Sequence, residues 1–508
     1  MILERAFCSW DPPPGTRLYH LISSNEPPLD SELLLISDAL SALDAATQAT
    51  SDAFPSRRAE LRGVLSPLRR MPPELLADIF VMTMPPLESA DNRYAGFSFT
   101  STPWALTHVC ARWRMVATQT RRLWSQVIIT FLEDSKTDYP PELLELHLQH
   151  GRGFFVEFEA SDERSFEPQL RVFELIARHA ERWVRLFIGL STTLLPAFNA
   201  LRGRLQSLRT ARLEWIGSRS SSPEAPLSIR CLEDAPALSE VHILNEYDYV
   251  PTPLNPEHLT WLSLDAPWDV HAELLRRAPN LETVHIHVDF DVSWPPAPDQ
   301  AENTILLKQL HRLYASDANV FDYLRAPAVE HLALRTEGDE LHFPPAILRL
   351  LERSGSQPSA INSICIAGNP TTSGVAEFLK QFPALEGLRL VFDTEDNESN
   401  PDWLEIEDIF ELLTTSPLAR ALKSLSFVIE GEIELNTHLF VAMINARVQD
   451  GLRRVDLVTE CALSQANGRD TILRVLKDHG LQHTFVDGSE NFNYLITAVY
   501  GDEWLFYD

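Results

Sequence analysis

The chain has 508 residues, enough for about three domains at the usual ~100–200 residues each, or fewer where repeats fill much of the length. With 44% hydrophobic and 23% charged residues its composition is globular, which excludes wholesale disorder, collagen and disulfide-stapled miniproteins. A formal charge of −29 argues against a surface built to neutralise nucleic-acid phosphates or to lie on anionic lipid, so neither nucleic acid nor membrane is expected as a partner.

The charge is unevenly spread. Between Ser51 and Thr130 ten arginines stand against six acidic residues, so this stretch is at +4 and the remainder at −33. The five cysteines (Cys8, Cys110, Cys231, Cys365, Cys461) form no close pair, which fits neither a disulfide framework nor a zinc cluster and points to a reducing compartment, cytoplasm or nucleus. The first residues lack the apolar core of a signal peptide, and no run approaches the ~18 apolar residues of a membrane helix.

Residues 1–29, with Pro12, Pro13, Pro14, Pro27 and Pro28 and no hydrophobic period, are expected to form an extended arm. From Asp30 the pattern changes. Leu33, Ile36, Leu40 and Leu43 recur at helical spacing, with Asp30 or Ser31 available as cap. The stripe fades through Thr47 and Thr50, short of the three or four heptads of a coiled coil, so both a packing helix and self-association stay open.

A second segment begins near Leu65. Pro72 and Pro73 predict a helix start, Glu74 suits the positive end of its dipole, and Leu75, Leu76, Ile79 and Phe80 predict one broad apolar face. After a polar, aromatic loop, Thr102-Pro103 reads as an N-cap followed by proline at the first helical position. One helix is expected behind it, carrying Leu106, Val109, Cys110, Trp113, Val116 and Ala117, with Arg112 and Arg114 on its other face. Leu123-Trp124 closes with a short turn, and Val127-Ile128-Ile129 reads as the first strand. Such a unit of ~60 residues buries only ~60% of its unfolded surface, so it is expected to finish its core against a partner or a neighbouring domain.

The remainder repeats a short motif, apolar-x-x-apolar-x-apolar. It occurs as Trp183-x-x-Leu186-x-Ile188, Leu208-x-x-Ala211-x-Leu213, Leu238-x-x-Val241-x-Ile243, Leu259-x-x-Leu262-x-Leu264 and Leu281-x-x-Val284-x-Ile286. It continues as Val329-x-x-Leu332-x-Leu334, Ile361-x-x-Ile364-x-Ile366, Leu385-x-x-Leu388-x-Leu390, Leu422-x-x-Leu425-x-Phe427 and Leu452-x-x-Val455-x-Leu457. The starts lie 25, 30, 21, 22, 48, 32, 24, 37 and 30 residues apart, mostly at or above leucine-rich-repeat length, and the gap of 48 suggests two units with one degenerate. Ala-Pro or Pro-Ala before several motifs, as at Pro236, Pro279, Pro327 and Pro383, ends whatever helix precedes the strand.

These observations give an α/β fold class: a small all-α helical domain near the front, then an irregular leucine-rich-repeat solenoid. The boundaries read as 1–63 for an arm and helix, 64–128 for the helical domain and 129–508 for the repeats. Stacked units of this kind share one continuous core and offer the other strand face for recognition.

The segment from Pro67 to Trp124 resembles the F-box-like domain, in the form expanded in mushroom-forming fungi. The resemblance rests on Ser66-Pro67-Leu68-Arg69-Arg70-Met71-Pro72-Pro73-Glu74-Leu75-Leu76, on Ile79-Phe80, on Val109-Cys110-Ala111-Arg112-Trp113-Arg114 with Val116-Ala117, and on Leu123-Trp124. Leu21 to Glu32 is similar to the segment those proteins carry upstream, and Arg121 stands where they usually have proline. The resemblance implies a substrate-recognition subunit of a cullin-RING ubiquitin ligase, binding a Skp-type adaptor, and through it a cullin, while the repeats recruit a protein substrate. On that analogy Leu68, Pro72, Leu75, Leu76, Ile79, Phe80, Val109, Trp113, Leu123 and Trp124 shape the core and the adaptor contact. The alternative is a scaffold or ligand-binding repeat protein with no role in ubiquitin transfer.

By strand alternation, His242, Trp261, Asp265, His285, His287, Arg335 and Arg389 share the face away from the core and are expected to lie exposed on a substrate-binding surface. Trp261 is the best anchor candidate, since aromatic residues carry interface energy, and the alternative is that it covers a neighbouring repeat. His285 and His287 with Asp289 have the side of a strand in common but no further ligand run, so no metal is expected. No nucleophile elbow, P-loop, His-Glu-x-x-His or dinucleotide fingerprint occurs, and neither catalysis nor a cofactor is expected.

Overall fold

The structure, a computed structural model, describes residues 15–24, 26–49, 55–84, 102–131, 139–160, 166–215, 227–245, 249–288, 294–296, 304–336, 340–368, 370–392, 405–429, 435–459 and 468–487. The chain divides into two compact units. The first comprises Met1–Leu87, Ala95–Ile128 and Lys136–Phe154, and the second comprises Glu88–Tyr94, Ile129–Ser135 and Phe155–Asp508.

The first unit is helical. The expected arm is not extended throughout, because Arg17–Ser24 forms a helix whose Leu18, Leu21 and Ile22 fall on one side. Leu21 packs with Ile36, Leu61 and Val64, the last two supplied by a helix, Pro55–Val64, that the periodicity did not reveal. The helix predicted from Asp30 onward is present as Asp30–Ala49, with Ile36 buried and Leu33 and Leu40 half-buried, whereas the side chain of Leu43 lies outside the described residues. Asp30 and Ser31 sit inside that helix rather than capping it. Its start is tied by Glu32, whose carboxylate accepts the Leu29 N–H at 2.7 Å, the reciprocal half of a capping box.

The helix Pro73–Met82 begins where the prolines predict, with Glu74 in its first turn. Its apolar residues divide between two sides: Leu76 and Phe80 are buried, whereas Leu75 is 53% and Ile79 40% exposed. The single helix expected after Pro103 is two, Trp104–Val109 and Ala111–Gln119. Between them Cys110 is extended (φ −164°, ψ 169°), and its Sγ accepts the Trp113 N–H at 3.4 Å. The hydrophobic period runs on through this break because an N-cap residue leaves helical dihedrals without adding residues. Thr102 does not cap; Pro103 occupies that position without a side-chain bond.

Across these helices Phe80 meets Trp113 at 4.8 Å between ring centres. A short 3₁₀ turn, Arg121–Trp124, buries Leu123 and Trp124, and Trp124 donates from Nε1 to Ala117 O at 2.8 Å. Trp104 and His147 meet the Trp124 ring at 5.1 Å each. The His147 Nε2 lies 3.0 Å from Gln126 O, and burial pushes its pKa down to about 4, so the ring is neutral near pH 7.

Strands run from the end of this helical region to the end of the described chain: β1 (Gln126–Thr130), β2 (Phe154–Glu159), β3 (Trp183–Leu190), β4 (Thr210–Trp215), β5 (Glu240–Asn245), β6 (Trp261–Asp265), β7 (Thr283–His287), β8 (Ile305–Leu306), β9 (Arg312–Ala315), β10 (Leu324–Arg325), β11 (His331–Thr336), β12 (Ser363–Gly368), β13 (Gly387–Phe392), β14 (Ser424–Ile429), β15 (Arg454–Thr459) and β16 (Gln482–Asp487). Fourteen make one sheet in sequence order, parallel from β3 onward, and β8 pairs with β10 apart from it.

All ten motifs are strands of this sheet, and they are in register. Leu186, Ala211, Val241, Leu262, Val284, Leu313, Leu332, Ile364, Leu388, Leu425 and Val455 are paired neighbour to neighbour. A second row runs from Ile188 to Leu457 in the same way, and both rows are buried. The gap of 48 residues does contain a degenerate unit, β9, where Leu310, Leu313 and Ala315 repeat the motif with a small third member. Helices such as Trp268–Arg276, Phe343–Ser354, Thr372–Gln381 and Ile406–Thr415 lie between strands, each burying one side. A parallel strand requires such a crossover, because its neighbour must start at the same end of the sheet. Among the described residues no helix is long and apolar enough to cross a membrane.

Candidate interaction surfaces

In the first unit the ten residues assigned to the adaptor contact separate by burial. Leu76, Phe80, Leu123 and Trp124 are core, and Trp113 is half-buried against Phe80. Leu68, Pro72, Leu75, Ile79 and Val109 are exposed. Leu75, Ile79 and the 82% exposed Met82 are spaced four and three apart, one stripe of the helix Pro73–Met82. Met82 and the half-exposed Met115 were not singled out from sequence, although Met82 extends the stripe by the same spacing.

Leu68, Val109 and Trp113 line one cleft of about 230 Å³ together with Arg69, Cys110 and Arg112. Arg112 builds its wall: the guanidinium donates to the carbonyls of Leu68, Arg69 and Met71, tying the helix Ala111–Gln119 to the end of the turn Pro67–Arg70. Those carbonyls have no intrahelical donors, so a charged donor there satisfies several at once. Arg70, Arg114, Arg121 and Arg122 remain exposed.

In the second unit the seven residues assigned to substrate binding do share the face opposite the core rows, as alternation requires. Arg212, His242, Ser263, His285 and Tyr314 are paired neighbours along it, and Asp265 pairs with His287 one step further along the strands. The expected exposure is corrected. Asp265 and His285 are buried, and His242, Trp261, His287, Arg335 and Arg389 are half-buried.

The reason is that strands lie ~4.8 Å apart and rings on adjacent strands cover one another, His285 and Tyr314 directly opposite and the other pairs diagonally. His242 stacks on Trp261 at 5.9 Å, Trp261 meets His285 at 5.3 Å, and Tyr314 meets His285 at 5.8 Å and His287 at 4.6 Å. Burial holds His242 and His287 well below the ordinary imidazole pKa, helped by the positive charge of Arg212 beside His242 and by His285 beside His287. Neutral rings can stack without repelling each other. Tyr314 escaped the sequence reading because its repeat is degenerate. Phe187, under the Arg212 guanidinium at 5.0 Å, was missed although it stands between two motif positions.

No protein-family model and no curated protein matches the sequence. Asp289, the third member considered with His285 and His287, lies outside the described residues. Among those described, no three His, Cys, Asp or Glu side chains converge as a metal site would require. Glu405 accepts the Thr372 N–H at 2.6 Å and so helps satisfy the start of the helix Thr372–Gln381.

Proposed function

We propose that this chain is a non-catalytic recruitment subunit: its helical unit is an F-box that docks on a Skp-type adaptor of a cullin-RING ubiquitin ligase, and its repeats hold a protein substrate. The observation that carries the reading is the uncovered stripe Leu75, Ile79 and Met82, and Leu68 and Val109 of the same unit are exposed as well. Removing apolar surface from water contributes roughly 25 cal/mol per Å², which gives a partner that covers these side chains a driving force for docking. The exposed Arg114, Arg121 and Arg122 suit a partner of acidic character. For the second unit, the two unbroken core rows and the crossovers between parallel strands support an irregular leucine-rich-repeat solenoid.

The test is co-elution of the full chain with a purified Skp-type adaptor on size exclusion. A stable complex is expected from the wild type, and Leu75→Asp with Ile79→Asp should weaken it at least ~100-fold while circular dichroism stays unchanged. Absence of a complex, or a double variant that co-elutes as well as wild type, overturns the reading.

A further inference from the structure

Between β7 and β9 the chain leaves the main sheet, and two short pieces of this connection are held within the second unit. Ile305–Leu306 pairs with Leu324–Arg325. Upstream, Trp294-Pro295-Pro296 rests on Trp268, the first residue of the helix Trp268–Arg276, and on Tyr323, the last of the 3₁₀ segment Ala318–Tyr323. The Trp294 ring lies 5.7 Å from Tyr323 at 15° and 5.5 Å from Trp268 at 36°, while Trp268 and Tyr323 are 5.0 Å apart. The Tyr323 hydroxyl donates to the Pro295 carbonyl. Trp268 and Tyr323 are buried, Trp294 is half-buried, and Pro295 and Pro296 are exposed.

This arrangement has the parts of a peptide-recognition groove. Two rings form a platform, and a phenolic hydroxyl reaches a main-chain carbonyl of a Trp-Pro-Pro segment. Consecutive prolines fix φ near −65° and bias the chain to the extended polyproline form, so little ordering entropy is lost when it docks on aromatic faces. A phenol is protonated at neutral pH, so the Tyr323 hydroxyl can donate there; burial, with Asp322 and Asp317 nearby, raises its pKa further.

We propose that Trp268 and Tyr323 form a binding site for proline-rich segments led by an aromatic residue, occupied in cis by the chain's own Trp294-Pro295-Pro296. The site is independent of the adaptor reading, since every residue of it belongs to the second unit. A tethered occupant competes at an effective concentration of roughly millimolar, so a free peptide binds well only when the tethered one is weakened.

The experiment titrates a fluorescent synthetic peptide with the sequence of residues 292–300 into the full-length chain and reads anisotropy. Trp294→Ala should bind it at least ~10-fold tighter than wild type does. Tyr323→Phe added to Trp294→Ala should reverse most of that gain, and a peptide with alanine in place of its tryptophan should not bind. If Trp294→Ala binds no better than wild type, or if Tyr323→Phe changes nothing, the three rings are an internal pin and the proposal fails. Tyr323→Phe removes a single hydroxyl, so the comparison survives even if Trp294→Ala lowers stability.

Discussion

Leu76 in the helix Pro73–Met82 and Leu332 in β11 are equally well buried, but their surroundings are not alike. Beside Leu76 the chain leaves Leu75, Ile79 and Met82 in water, whereas Leu332 has Leu313 on one side and Ile364 on the other in a row buried along its length. Among the described residues, eleven of the thirteen large hydrophobic side chains left exposed belong to the first unit, the other two being Leu227 and Leu341. The first unit is also much the smaller of the two. Surface grows relative to volume as a unit shrinks, so a short helical unit cannot hide every apolar residue it carries, whereas a repeat array hides each strand against the next. What a small unit leaves uncovered is then available to a partner.

The sharpest way to break this comparison is to attack the packed rows. Leu332→Ala should cost about 2–5 kcal/mol, and Leu75→Ala less than about 0.5 kcal/mol, measured by urea unfolding with a probe for each unit. Gly368→Ala should be at least as damaging as Leu332→Ala. Gly368 has φ +101°, and a Cβ there would lie 2.1 Å from the Thr336 carbonyl oxygen of the adjacent strand, which is backbone and cannot step aside. Equal tolerance of Leu332→Ala and Leu75→Ala would mean that the row is not a continuous core.

Much of this difference was legible in the residues. The apolar-x-x-apolar-x-apolar pattern located ten strands, because a strand that buries one side must alternate and a repeat must place its alternation in phase with its neighbours. The gap before Val329 hid β9 because its third core position is alanine, and β16 was missed because His483 stands in line with Val455. Alternation assigns His285 and Asp265 to a side of the sheet but says nothing of what covers that side, so their burial had to come from the packing of rings on adjacent strands. In the helical unit the period of Leu106 to Ala117 passed straight through the break at Cys110, since a cap changes dihedrals rather than spacing. The stripe Leu75, Ile79 and Met82 has the same spacing as a core stripe, and only the position of Phe80 against Trp113 decides which side faces inward.

Both units should lose stability in acid, which sharpens the comparison by giving each an internal reporter. His147 in the first unit and His271 in the second are held near a pKa of about 4 by burial, and each has a ring nitrogen near a carbonyl, Gln126 O at 3.0 Å and His287 O at 3.1 Å. The pKa is lower in the folded state than the ordinary 6.5, so the unfolded chain binds the extra proton first. Stability is therefore full above about pH 6.5 and falls as pH drops toward about 4, by up to about 3 kcal/mol for each histidine. His147→Gln should flatten this dependence in the transition of the first unit alone, and His271→Gln in that of the second. A slope unchanged in both would assign the acid sensitivity to other groups.

The smallest effect on stability should come from the residues on which the functional reading depends most. Ile79→Ser and Met82→Ser remove side chains that touch water in the free chain, so the unfolding midpoint should move by no more than about 0.5 kcal/mol. The same pair should lower the binding of a hydrophobic dye such as ANS to the folded chain, because the stripe is the natural place for it to adsorb. A loss of several kcal/mol would mean instead that Ile79 or Met82 is covered from within, and the helical unit would then need no outside subunit to complete it. A dye signal that persists unchanged would place the exposed apolar surface elsewhere, the next site being Leu34 and Leu35 on the helix Asp30–Ala49.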